Sequence, residues 1–75
     1  MNLDEKRFLE AVGRRLREGR KAQGLTLVQL AAKTELDRSF LGAVENGTRN
    51  IGLLNLRLVA QKLRMRISDI VAELK

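Results

Sequence analysis

Catalytic chemistry has little to work with in this sequence. It contains no His and no Cys, so the usual general base near neutral pH and the commonest metal ligands are missing. No Ser stands with a basic partner, and no glycine-rich loop has phosphate-cradling spacing. No catalytic residue, metal or cofactor is therefore expected. What remains is hydrogen-bond donation and positive charge. Arg38 offers a planar fork of donors suited to an edge that presents two acceptors. Thr48, Arg49 and Asn50 gather donors in a stretch without apolar residues, next to Gly47, which permits a left-handed turn. Thr26 and Gln29 have capping-box spacing. These groups suit holding a polar, anionic partner rather than transforming one.

The elements that position them follow from caps and periodicity. Gly24 closes a first helix. Thr26 opens a second, which should bury Leu27, Leu30 and Ala31 and end near Lys33 or Thr34. Asp37 can cap a third that carries Leu41 and Val44 inward. Only Thr34, Glu35 and Leu36 stand between the two, and so short a connection makes helices cross steeply, the helix-turn-helix geometry. The outward face of the third helix then carries Asp37, Arg38, Ser39, Gly42 and Ala43. The first helix is predicted from about Asp4 to Gln23, with an inward stripe of Phe8, Val12, Leu16 and Gly19; Gly19 marks a place of close helix packing. Arg14, Arg15, Arg17 and Lys21 are expected in solvent or near phosphates. A fourth helix, about Leu53 to Leu63, turns Leu53, Leu56, Val59, Ala60 and Leu63 inward and leaves Leu54 and Leu58 on another face. A fifth, about Ile67 to Leu74, completes the core with Ile67 and Ile70, while Val71 and Leu74 suit either core or partner surface.

The length of 75 residues fits one domain, residues 1–75. Apolar residues recur at three and four, and there is no Pro; both favour an all-α fold. The net charge of +6 favours an anionic partner such as nucleic acid. Phe8 and Phe40 are the only aromatics, too few for single-strand stacking platforms, which leaves duplex DNA ahead. No apolar run approaches membrane-spanning length, and Met1 to Arg7 lacks a signal peptide's apolar stretch. The expected location is cytoplasmic, at the nucleoid.

The run from Leu36 to Asn50, LDRSFLGAVENGTRN, resembles the lambda-repressor-like (xenobiotic-response-element-type) helix-turn-helix family, closest to restriction–modification controller proteins and small phage repressors. The resemblance spans roughly Val12 to Val71. It implies a compact five-helix DNA-binding domain whose second and third helices form the helix-turn-helix. It places base reading on Arg38, Ser39 and Ala43, with Asp37 and Gly42 beside them. Arg38 can bind guanine O6 and N7 together. It places phosphate contacts at Gln29, Thr26, Phe40, Thr48, Arg49 and Asn50, and pairs Arg20 with Glu45 as a structural ion pair. Several positions depart from the family pattern. Leu27 stands for a phosphate-binding Gln, Glu35 for a turn Gly, Phe40 for Tyr, Ile51 for Pro and Gly19 for a larger apolar residue. The link Arg64-Met65-Arg66 lacks the usual Gly and Ser.

The resulting expectation is a sequence-specific regulator of transcription, bound as a homodimer to a near-palindromic operator in double-stranded DNA. Leu54, Leu58, Val71 and Leu74 are its expected dimer interface, and RNA polymerase a further partner. No membrane association or small-molecule ligand is expected. With no effector domain expected beyond the fifth helix, regulation would come from protein concentration and occupancy. A restriction–modification controller fits; a phage or mobile-element repressor fits nearly as well. An antitoxin, docking a toxin through the Leu54/Leu58 face or Phe8 and Leu9, is the runner-up, and a helical adaptor that ignores DNA is a third reading.

Overall fold

The computed structural model describes residues 1–74. Five helices follow one another: α1 (Leu3–Ala22), α2 (Leu27–Thr34), α3 (Arg38–Glu45), α4 (Leu53–Lys62) and α5 (Ile67–Val71), with no strand among the described residues. The predicted all-α, five-helix architecture is the one found.

Local chemistry explains most boundaries. Asn2 starts α1 and shares a reciprocal capping box with Glu5, so α1 begins earlier than the Asp4 expected. Its end is a Schellman turn: the N–H groups of Gly24 and Leu25 donate to Lys21 and Arg20 carbonyls at 2.9 and 3.1 Å, and Gly24 takes φ +69°, where a Cβ is unfavourable. In α2, the Thr26 hydroxyl accepts from the Gln29 N–H at 3.1 Å, and the Gln29 side-chain oxygen accepts from the Thr26 N–H at 2.8 Å. The turn after α2 places Glu35 at φ +59°, and the turn after α4 places Arg64 at φ +57°. Both positions keep the left-handed geometry that glycine favours while lacking glycine. The link Arg64-Met65-Arg66 thus closes as an ordinary Schellman turn, with Met65 N–H donating to Ala60 at 2.8 Å.

The core gathers Val12, Leu16, Leu30, Leu41, Val44, Ile51, Leu56, Val59, Ala60, Leu63 and Ile70. Ile51, in the usual place of a proline, is buried there. In α4 the expected faces shift. Leu53 was placed inward but is 73% exposed; it stands in the first turn, where no neighbouring helix covers it. Leu58 was placed outward but is half-buried. The tightest helix contact is at Gly13, where a Cβ would stand 2.8 Å from the Glu45 carbonyl carbon of α3. Gly19, expected in that role, instead faces the flexible Met65 side chain.

Helix α5 is shorter than predicted. It stops at Val71, and Glu73 turns left-handed at φ +65°. Arg15 closes this end: its guanidinium donates to the Ile70 and Ala72 carbonyls at 3.2 and 2.6 Å. Arg15 is therefore a helix cap in trans rather than a solvated cation.

Arg64→Gly should stabilise the fold. The left-handed backbone costs an L-residue about 1–2 kcal/mol, against about 0.5–1 kcal/mol of extra chain entropy for Gly. The expected net gain of about 0.5–1 kcal/mol corresponds to a rise of roughly 2–8 °C in thermal midpoint. A lowered midpoint in a calorimetric scan would contradict the left-handed turn at Arg64.

Candidate nucleic-acid interface

Helix α3 is held so that one face packs and the other is free. Asp37 caps it, accepting from the Ser39 N–H at 3.1 Å. Leu41 and Val44 are buried, whereas Asp37, Arg38 and Ser39 are exposed. The exposed first turn therefore presents a guanidinium and a hydroxyl, both hydrogen-bond donors, ahead of a helix N-terminus. Ala43 and Gly42 are half-buried. A Cβ at Gly42 would lie 3.6 Å from Leu27 Cδ1, so Gly42 turns toward α2 and is not fully on the outward face assigned to it.

The far end of α3 is also fixed by a Schellman turn. Gly47, at φ +76°, donates its N–H to Val44 at 3.0 Å. Thr48 donates twice to the Ala43 carbonyl, from its N–H at 2.9 Å and its hydroxyl at 3.0 Å. The Thr48 hydroxyl proton, expected to face a phosphate, is thus committed inside the protein. Asn50 accepts from the Gly52 N–H at 3.1 Å through its side-chain oxygen, which leaves its amide donors free. Gln29 likewise uses its oxygen in the α2 cap and keeps its amide donors. Arg49 is exposed, and its guanidinium carbon lies 5.3 Å from the centroid of the half-buried Phe40 ring.

One buried ion pair holds the unit. Arg20 Nε meets Glu45 Oε2 at 2.8 Å, and a second guanidinium nitrogen meets Oε1 at 3.0 Å. The third donates to the Leu25 carbonyl at 2.8 Å. Arg20 is only 9% exposed. Hydrogen bonding to Glu45 raises its already high pKa, opposed by desolvation and aided by the Glu45 charge. The guanidinium therefore stays charged wherever the fold persists. α1, the α1–α2 link and the end of α3 meet on this one side chain.

The expected dimer residues are not brought into one patch of equal exposure. Leu54 is 73% exposed, while Leu58, Val71 and Leu74 are half-buried, Leu74 lying beside Phe8 and Ala11. Leu53, which the periodicity assigned to the core, adds a second exposed leucine next to Leu54. No helix of the described residues is long and apolar enough to cross a membrane, and no metal-ligating cluster is found among them.

Comparison with known proteins agrees with this geometry. The helix-turn-helix family matches residues 16–70. The chain belongs to that family, in its lambda-repressor-like branch, a family of DNA-binding regulators and not of enzymes. The immunity repressor protein of Bacillus phage phi105 is 44% identical over 62 residues, which cover 83% of this chain but 43% of that protein. The control protein C.MunI from Mycoplasma is 31% identical over 64 residues, 84% of this chain and 86% of that one. The crystal structure of the restriction–modification controller protein C.AhdI from Aeromonas hydrophila superposes with a TM-score of 0.79 at 42% identity, covering 83% of this chain and 94% of that one.

Glu45→Ala should destabilise the fold by about 3–5 kcal/mol, because it leaves the Arg20 charge buried and unpaired. The double variant Arg20→Met, Glu45→Leu should recover a large part of that loss. Urea titration reads both; a single-variant loss under about 1 kcal/mol would mean that solvent screens the pair.

Proposed function

We propose that this chain is a sequence-specific transcriptional regulator that grips a near-palindromic operator as a homodimer and controls a restriction–modification gene pair. The observation that carries the reading is the exposed first turn of α3, with Arg38 and Ser39 free on a capped helix pinned at its other end. Such a helix can enter the major groove, where an Arg fork distinguishes guanine by two bonds. Asp37 and Ala43 flank it, and Gly42 keeps the α2–α3 crossing close. Free donors on Gln29, Asn50 and Arg49, with the N-terminus of α2 at Thr26, suit phosphates on either side. Thr48 and Phe40 support that contact from behind, through the loop.

One domain reads few base pairs. A two-fold dimer sets two recognition helices about 34 Å apart and so asks for a palindrome. The exposed Leu53 and Leu54 supply apolar surface for it, and Leu58, Val71 and Leu74 are half-buried. Likeness to C.AhdI and C.MunI supports the controller role. Working on DNA places the protein at the nucleoid, acting with or against RNA polymerase.

A phage repressor is the second reading, favoured by the 44% identity to the phi105 protein. Selection from a random duplex library decides between them: the enriched site should be a near-palindrome found upstream of restriction and methylation genes. A site confined to prophage promoters would favour the repressor, and no enrichment would remove the operator altogether. Arg38→Ala should cost about 1–3 kcal/mol on the selected site and relax one position in each half. Equal loss on selected and random duplex would remove its base-reading role. Leu54→Lys should leave the thermal midpoint within about 2 °C, since the site is exposed, yet shift the protein to monomer in sedimentation. A persisting dimer would place the interface elsewhere.

A further inference from the structure

We propose that Phe40 is a positioning residue whose ring presets the Arg49 guanidinium for a DNA phosphodiester. The inference rests on the duplex-binding reading above and says how one of its contacts is prepared.

The Arg49 guanidinium carbon stands 5.3 Å from the Phe40 ring centroid, within the range where the negative ring face attracts a cation. Phe40 is half-buried and packed against the core, so the platform is fixed. Arg49 is exposed, and among the described residues the ion pairing is that of Arg20 with Glu45. Arg49 is therefore held by a ring and not by a carboxylate. The difference matters chemically. A carboxylate would neutralise the charge and occupy the N–H donors. A ring face restrains the guanidinium while leaving its net charge and its in-plane donors available to a phosphate.

The backbone on both sides is fixed as well. Thr48, just before Arg49, is tied twice to the Ala43 carbonyl. Asn50, just after it, receives the Gly52 N–H. Gly47 makes the return possible with its left-handed φ of +76°, and a Cβ there would lie 2.7 Å from the Glu10 Cα. The loop thus doubles back toward the first turn of α3, and its one cation meets the ring there. A long flexible side chain ordered before binding loses less freedom on binding. Phe suffices for this device: the ring face acts, and no hydroxyl is required.

The test replaces Phe40 with pentafluorophenylalanine, which keeps the ring's shape and reverses its electrostatic face. Affinity of the full chain for mixed-sequence duplex DNA is then measured with and without Arg49→Ala. The expected result is a loss of about two- to five-fold when Arg49 is present and none in the Arg49→Ala background, with unchanged thermal midpoint. Arg49→Ala itself should lower the salt slope by about one. Phe40→Tyr, which keeps the ring face, should retain the coupling. Equal losses in both backgrounds, or no loss in either, overturn the proposal. Proton NMR of the free protein separates this from failure of DNA binding. Phe40 and Phe8 are the only rings, so an upfield-shifted Arg49 side chain reports the stack directly. Duplex binding without that shift sinks the positioning role alone. The shift without any duplex binding sinks the reading on which it rests.

Discussion

The fold hangs on a charge that would be costly to bury by itself. Arg20 lies inside the domain, and every guanidinium nitrogen has an acceptor: two on Glu45 and one on the Leu25 carbonyl. Burying an ion pair is not a reliable source of stability. Its value here is geometric. The planar fork fixes the distance and orientation of three chain segments at once, which an apolar contact of equal area would not. Once the end of α3 is tied to α1, the helices approach until Gly13 meets the Val44–Glu45 backbone. A side chain at Gly13 would hold them apart and strain the fork. The ion pair and the glycine are one constraint seen from two sides, and the orientation of α3 depends on both.

Satisfied polar groups extend beyond that pair. No buried side-chain nitrogen or oxygen among the described residues lacks a partner. Thr34, buried in α2, donates to the Leu30 carbonyl at 2.8 Å. Arg15 supplies donors to the Ile70 and Ala72 carbonyls at the end of α5, which a short helix leaves without partners. A five-residue helix has little stability of its own; Ile70 in the core and Arg15 at the end hold it in place.

Much of this is legible in the sequence where the controlling chemistry is local. Thr26 with Gln29, Asp37 ahead of α3 and Gly24 after α1 mark their boundaries because capping involves residues a few positions apart. The helix-turn-helix itself follows from how little chain separates two start signals. Long-range features are less legible. The pairing of Arg20 with Glu45 came from family resemblance, since nothing local singles out one arginine in a basic stretch. Gly13 carries no local signal: a glycine needed for close approach looks in sequence like any mid-helix glycine, Gly19 included, and only the Val44–Glu45 backbone opposite it sets it apart. The exchange of Leu53 and Leu58 has a similar cause. Periodicity fixes the angle of a side chain about its helix, not whether another element reaches far enough along the axis to cover it. The Thr48 hydroxyl looks free in sequence, whereas the Schellman turn brings the Ala43 carbonyl to it.

The same distinction separates affinity from specificity in the proposed interface. The sequence carries 15 cationic side chains, and Arg15 and Arg20 are turned to internal carbonyl and carboxylate partners. The rest supply a field that attracts any duplex and that salt weakens. Sequence reading needs something that charge cannot give: a donor pair held at a fixed height and angle above the base edges. In the proposed role Arg38 would gain that from α3, which is capped at one end by Asp37 and locked at the other by Glu45 and Gly47. A rigid helix this short exposes only about one turn to a groove. Discrimination from a single domain is correspondingly small, and doubling the reading head by two-fold symmetry increases it without a longer helix. On this view the buried fork of Arg20 contributes to specificity without approaching DNA, because it sets the plane in which the exposed fork of Arg38 can work.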